Sequence, residues 1–391
     1  MARFLKKQVL MKQALALPLS LLVVTFAAAC SVQVETGPAQ TRAGVASSPP
    51  PADLFPTVAP VAPGYDTHCS PAPAVHTNAV CLCGSMAHAG ELITEAPAGD
   101  AADVGVNGDF SAATSSTIAG SLRVTGDVSM SGTLTIRDHL ASGSDLSGAG
   151  TLGCGGDLAV GGDLSGALDG EVKGKVRVRG NQSIAGGLKS GGNADFVAAK
   201  GAPCDCNPST FYDVATAVKT AQRKNDNAAA GLDAKSQGAP TPLTLRAGRY
   251  YFEDLRTLAA LRIEGEVQLY VAGSLTQVGS GSIDLAPGAK LDLFVDGDLN
   301  SAGDFVTGTA ARPDAMHLYV SRSVSFAGDR AFHGSVYAPT GTVSFAGSAT
   351  IDGALTARDV SYAGTLRVRY AKPLSQGESC ETGSKPTFPT K

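Results

Sequence analysis

The sequence predicts an all-β chain, a parallel β-helix in two parts with one helical interruption, and three observations carry that expectation. Leu or Val recurs at every sixth residue: Leu122, Val128, Leu134, Leu140, Leu146, Leu152, Leu158 and Leu164. A second apolar track follows two residues later, through Val124, Met130, Ile136, Cys154, Val160, Val172, Val178 and Ile184. Gly-Asp, Gly-Thr or Gly-Asn pairs close the blocks between. A fixed repeat of this kind marks a solenoid. A period of six does not fit the 3.6-residue face of a helix, and glycine is too frequent for one.

Positions one and three of each block lie two residues apart and face the same side of a strand. Glycine permits positive φ, and Asp or Asn can bond its own backbone, so the block ends on a corner. Three blocks then close a triangular coil of about 18 residues, each strand pairing in parallel with the next coil. Paired large aliphatics such as Leu122/Val124 and Leu134/Ile136 depart from the left-handed hexapeptide acyltransferases, which carry one large aliphatic per block. From about Asn107 to Gly192 the pattern resembles the right-handed β-helix of bactofilins, and that resemblance implies right-handed winding. The spacing from Asp157 to Asp163 is six, not the nine of calcium-binding nonapeptide repeats, so these aspartates read as corner residues.

In chain order, residues 1–29 read as a targeting segment. Arg3, Lys6, Lys7 and Lys12 precede an apolar run from Ala14 to Ala29, shorter than the roughly 20 residues a membrane span needs. Phe26-Ala-Ala-Ala-Cys30 resembles the lipobox of bacterial lipoprotein precursors, which implies lipidation of Cys30 and membrane attachment. Ala27 stands where that family usually has Leu, and Ser31 after the Cys implies the outer membrane. Removing the leader moves the net charge from −4 to −8, and the chain has no Trp and no basic cluster, which argues against nucleic acid. Residues 30–64 are rich in Pro, Ala, Ser and Thr and read as an extended tether.

Residues 65–106 form a Cys-containing N-terminal segment or cap, and 107–200 the hexad solenoid. An oxidising compartment makes Cys69, Cys81, Cys83, Cys204, Cys206 and Cys380 candidates for disulfides, in pairings that spacing does not decide. Cys154 occupies an inward position and reads as a buried small hydrophobe. A zinc site drawn from Cys69, His76, Cys81, Cys83 and His88 is disfavoured, because Cys-x-Cys is not the usual structural spacing.

Residues 201–242 interrupt the solenoid. Thr210 followed by Asp213 resembles a capping box, and Phe211, Val214, Ala215 and Val218 make an apolar stripe. One helix of about four turns is expected, packed on the solenoid flank or over an open coil end, with Lys219, Arg223 and Lys224 suiting its C-terminal dipole. Asn225-Asp226-Asn227 reads as a helix exit in preference to a calcium ligand set. From 243 to 373 the strands return, longer and less regular, and 374–391 is a tail. The segments Leu291–Val295, Phe332–Pro339 and Val368–Tyr370 resemble an uncharacterised β-solenoid domain of bacterial envelope and pilus-associated proteins. That family often closes with His-Tyr-Asp, where this chain has Arg369-Tyr370-Ala371.

No nucleophile elbow, HExxH helix, P-loop or dinucleotide fingerprint is present. His139 falls at a corner. Arg246/Arg249 with Glu253/Asp254, and Asp292/Asp296/Asp298, are the densest polar groups, and the second trio alternates with Leu291, Leu293 and Val295 as a solvated strand face would. His317 and His333 read as structural. Tyr250, Tyr251, Tyr270, Tyr319, Tyr337, Tyr362 and Tyr370 concentrate in the second half; outward ones would offer faces that stack on sugars or proteins, but core or edge packing is the favoured reading for any single Tyr. The expectation is therefore a lipid-anchored envelope protein with a structural or adhesive role, no catalytic residues, no metal and no cofactor. Its partners would be envelope proteins or glycans. A carbohydrate-active enzyme and a bactofilin-like polymerising scaffold are the alternatives.

Overall fold

The computed structural model describes residues 77–197, 201–235, 243–256, 260–303 and 305–371; the leader, the tether, Cys30, Cys69 and Cys380 lie outside them. The described chain forms a single 28-stranded sheet whose pairings are all parallel, plus one α-helix.

Its strands stack as three faces. Leu134 and Leu152 share face one, Leu122, Leu140 and Leu158 share face two, and Val128, Leu146 and Leu164 share face three. Leu146 pairs with Leu164, three hexads further along the chain, so three hexads close one coil. All eight residues of the six-residue track point inward and are at most 1% exposed.

Corners explain why the block ends in Gly-Asp. Asp109, Asp127, Asp145 and Asp163 each accept a hydrogen bond from the backbone N–H one coil later, at 2.7 to 3.1 Å. Beside Asp109, Asp145 and Asp163 the facing residue is Gly126, Gly162 and Gly180, held by space and not by positive φ, whereas Ser144 takes that place beside Asp127. A Cβ at Gly162 would lie 2.0 Å from Asp145 Oδ1, and one at Gly180 would lie 2.2 Å from Asp163 Oδ1. Neither glycine has positive φ. His139 takes the aspartate's place at its corner, its Nδ1 accepting from the Asp157 N–H at 2.9 Å.

The second half keeps the three faces but varies the length of the coil. Leu291 pairs with Met316 around a coil longer than three hexads, whereas Val336 pairs with Leu355 around one close to three. Its last strand does not end the ladder. Val80–Leu82 pairs with Leu355–Ala357, Met86–His88 with Val360–Tyr362, and Leu92 with Leu366. The coil at this seam is thus completed by Thr365–Tyr370 from one half and Val80–Leu82 and Met86–His88 from the other. Chain order and stacking order differ: the first half grows away from the seam, and the second half starts at the far end and returns to it. Strands begin at Val80, ahead of the boundary at 107 that the hexads suggest, because residues 80–103 make one full coil, longer than three hexads, and Val104–Val106 opens the next.

The interruption carries the chain between the two far ends. The helix α1 spans Val214–Arg223, ten residues in place of the expected four turns. Asp213, and not Thr210, is its N-cap, accepting from the Thr216 N–H at 2.9 Å. Pro208–Thr210 forms a separate 3-10 turn that the carboxamide of Asn207 caps, which leaves Phe211 outside the helical stripe. After α1, the carboxamide of Asn225 bonds Ala221 O, and Asp226 and Asn227 hydrogen-bond the edge strand at Arg249 and Tyr251. Asn225-Asp226-Asn227 therefore closes a helix and caps one end of the ladder.

Candidate functional site: an uncovered serine and alanine face

The three faces differ in what their outward positions carry. On face two, Tyr251, Tyr270, Phe294, Tyr319 and Tyr337 stand in one column by register. Phe294 stacks between Tyr270 (4.6 Å) and Tyr319 (4.8 Å), with planes within 12° of parallel. Val214, Val218 and Ala221 of α1 pack onto this column and bury it. The tyrosines are thus packed, as favoured for each of them singly, with Tyr250, Tyr362 and Tyr370 in the inner core and the outward column covered by α1. Upstream of α1, disulfides Cys81–Cys204 and Cys83–Cys206 fasten the returning chain to the seam coil on the same face. Cys154 is free and buried, and burial pushes its thiol up, away from reactivity.

Face one is ionic. Asp352 accepts from His333 Nδ1 at 2.6 Å and from Arg369 at 3.2 Å. Arg369 and Arg367 both reach Glu95 across the seam, and Glu264 pairs with Arg262 at 2.9 Å. The exposed pairs, Arg262–Glu264 and those of Glu95, contribute little stability individually, whereas Asp352 and His333 are largely buried.

Among the described residues no element covers face three, and charge enters its outward column only at the far end of the second half, at Arg256, beyond Thr276 and Asn300. Ser325, Ser344 and Ser361 stand in successive rungs of the second half. Ala87 continues the column at the seam, and Ser111, Ser129, Ser147, Ser165 and Ser183 extend it through the first half. Two residues along each strand runs a second column, through Ala327, Ala346, Ala363, Ala89, Ala113, Ser131, Ala149, Ala167 and Ala185. Between the columns lies an open trough of about 720 Å³ whose floor is strand backbone and whose lining holds no Asp, Glu, Lys or Arg. Rungs about 4.8 Å apart give nine positions a length of roughly 38 Å.

Beneath the trough the core is aromatic near the seam. His88 stacks on Tyr362 at 4.8 Å and meets Phe110 edge-on at 5.7 Å. Its Nδ1–H donates to Gly90 O (2.6 Å) and its Nε2 accepts from Ser116 Oγ (3.2 Å), a pattern that fits the neutral ring. Burial holds its pKa below the ordinary value.

The polar groups singled out in the sequence do not converge. Asp292 pairs with His317 Nδ1 at 2.9 Å, Asp296 accepts from Ser321 Oγ at 2.9 Å, and Asp298 accepts from the Ser323 N–H at 3.0 Å. Arg246 lies 3.9 Å from Glu264 on face one, whereas Arg249 turns onto face two toward Gln268. Asp254 caps a corner at Ser274. Among the described residues no group of three or more His, Cys, Asp or Glu could hold a metal ion. The signal of the serine column sits at position two of every third hexad, between the aliphatics, where the intervening hexads hide it: VSM at Val128, LSG at Leu146 and again at Leu164.

Comparison with known proteins gives a partial family match. The family model "Domain of unknown function (DUF7305)" matches residues 204–376. A crystal structure of an ice binding protein from an Antarctic bacterium, Flavobacteriaceae, aligns over 77% of this chain and 99% of that one, at 12% identity and a TM-score of 0.18. No curated protein matches the chain.

Proposed function

We propose that this is a non-catalytic, lipid-anchored envelope protein whose face three binds an extended, uncharged polymer, a glycan being the fitting class. The observation that carries the reading is the continuity of the serine and alanine columns across the seam between two halves that are otherwise unlike. Nothing in the packing of the core demands that the outward residues of face three be small, whereas docking along a flat trough does. Hydroxyls in register would meet sugar hydroxyls, and the alanine methyls would meet the C–H faces of the rings. A rigid face avoids the ordering cost that a mobile one would incur on binding.

Attachment through Cys30 and the tether of residues 30–64 belongs to the same proposal. The two disulfides support a compartment beyond the cytoplasm, where such bridges persist. Right-handed winding is part of it too, supported by the strong preference of parallel crossovers for that hand.

The test is binding of the chain to insoluble polysaccharides and to envelope fractions, with Ser129→Tyr and Ala113→Tyr set against Thr135→Tyr on face one. Residues 113, 129 and 135 are all exposed, so all three variants are expected to fold. The first two should lose at least tenfold in binding and the third should not. Equal binding by all three would remove face three as the site.

A bactofilin-like assembly is favoured by one observation. The ladder's first-half end, at Gln182–Ile184 and Lys189–Ser190, is exposed, whereas the other end is capped by Asp226 and Asn227. Filaments under electron microscopy would promote that reading, and discrete particles would count against it.

A further inference from the structure

We infer that the crevice between α1 and face two is a binding site for a small oxyanion, a carboxylate or a sulfate group, received by the guanidinium of Arg249. The crevice has a volume of about 210 Å³ and is lined by Tyr212, Thr220, Arg249, Gln268 and Tyr270, with Ala217 and Ala221 closing it from the helix. Arg249 Nε donates to Gln268 Oε1 at 3.2 Å, and its Cζ stands 6.0 Å from the centre of the Tyr270 ring. The Tyr270 hydroxyl donates to the same Gln268 oxygen at 3.3 Å. Among the described residues the side-chain contacts of the guanidinium are to neutral groups, while the Asp226 carboxylate accepts from the Arg249 backbone N–H.

Other half-buried arginines on this protein do find carboxylates: Arg177 reaches Asp157 at 2.5 Å and Arg246 reaches Glu264 at 3.9 Å. The acid nearest in the outward row, Asp292, follows Gln268 by one rung and is hydrogen-bonded by His317. A planar fork whose two terminal nitrogens keep four N–H donors matches a carboxylate or sulfate edge, and partial burial strengthens the attraction relative to open water. Tyr212 supplies a second donor. Burial, then the neighbouring Tyr270 and Asp292, hold its hydroxyl protonated far above neutral pH. The volume is below the roughly 300 Å³ at which ligand pockets begin, which fits one acidic group and not a sugar chain.

This site shares no residue with the trough of face three and stands whether or not that face binds a polymer. The experiment is calorimetric titration of the full chain with sodium sulfate, sodium acetate and sodium glucuronate at constant ionic strength. Saturable one-to-one binding is expected, weakened at least tenfold by Arg249→Gln and unchanged by Arg262→Gln on face one. Tyr212→Phe, which leaves the charge in place, should weaken binding several-fold and keeps the test open if the Arg249 variant fails to fold. Comparable affinity for all three anions would identify a free ion as the ligand, and preference for glucuronate would identify an acidic sugar. Absence of saturable binding, or wild-type affinity in both Arg249→Gln and Tyr212→Phe, would overturn the inference.

Discussion

Faces two and three rise from the same coils and enclose the same core, yet among the described residues one is covered by a helix and the other carries no cover. Outward side chains account for the difference. An aromatic residue buries about 150–250 Å², so a column from Tyr251 to Tyr337 would leave a larger apolar patch than soluble proteins tolerate. The helix α1 removes that patch from water, and Val214 and Val218 are themselves buried by doing so. Serine and alanine expose little apolar area each, so face three gains almost nothing from a cover. Face two uses its outward side chains for stability, and face three keeps its own available.

The sharpest way to break this contrast is to release the returning chain from face two. Cys81–Cys204 and Cys83–Cys206 each close a loop with a sequence separation of 123. The chain-entropy argument gives about 4–5 kcal/mol for the first such closure and less for a second nested with it. The double variant Cys81→Ala/Cys83→Ala should therefore lose several kcal/mol in denaturant unfolding, and reductant should reproduce that loss in the wild type. A midpoint unmoved by either treatment would mean that packing alone holds the strap.

A second pair of substitutions compares the faces directly. Phe294 is fully buried between α1 and the sheet. Phe294→Ala should cost about 3–5 kcal/mol, whereas Ser129→Ala on face three should fall within about 0.5 kcal/mol of wild type. Similar losses from the two, measured by thermal unfolding, would show that face three also bears on stability and weaken its assignment as a free binding surface.

The same contrast explains what the sequence revealed. The hexads from Leu122 to Leu164 were legible because one residue type recurs at one spacing, and the three-sided coil follows directly. The joining of Val80–Leu82 to Leu355–Ala357 was not, since parallel pairing leaves no mark in either strand of which coil lies below it. The corner glycines were visible but their reason was not: positive φ is a local property, whereas the clash at Gly162 comes from Asp145 one coil away. Serine at position two was open to view, but small polar residues on a strand's outer side are the ordinary solvated pattern. Only the register shows them as one column over both halves. Packing was the favoured reading of each tyrosine, but their alignment as one column under α1 was not legible, because neither the register nor the place of α1 is written in the strands.

Corner spacing gives a smaller and more local test. In Gly162→Ala the new Cβ would meet Asp145 Oδ1 at 2.0 Å and backbone at 3.0 Å. Crowding of that kind costs about 1–3 kcal/mol. Asp145→Ala removes the obstructing carboxylate together with its hydrogen bond to the Asp163 N–H, a loss of about 0.5–1.5 kcal/mol. The double variant should be less destabilised than the two single losses added together, because the residues share one space. Strict additivity in denaturant unfolding would place the cost of Gly162→Ala in the backbone instead.

The smallest effect lies where face three crosses the seam. His88 comes from the first half and stacks on Tyr362 of the second, and Phe110 and Ser116 complete its surroundings. Burial depresses its folded pKa below the ordinary value near 6.5. Above that value neither the folded nor the unfolded chain protonates the ring, and the packing contribution is complete. As pH falls below it, the unfolded chain takes up the proton first, so stability declines until the folded pKa is passed, by no more than about 1.4 kcal/mol per pH unit for one proton. Thermal midpoints should therefore fall between pH 7 and pH 5 in the wild type, and His88→Gln should flatten that slope while leaving Ser129→Tyr as defective in binding as before. A slope unchanged by His88→Gln would assign the acid sensitivity elsewhere. The seam under the trough would then be no weaker in acid than the regular coils beside it, and the two halves would behave as one continuous ladder despite their separate origins in the chain.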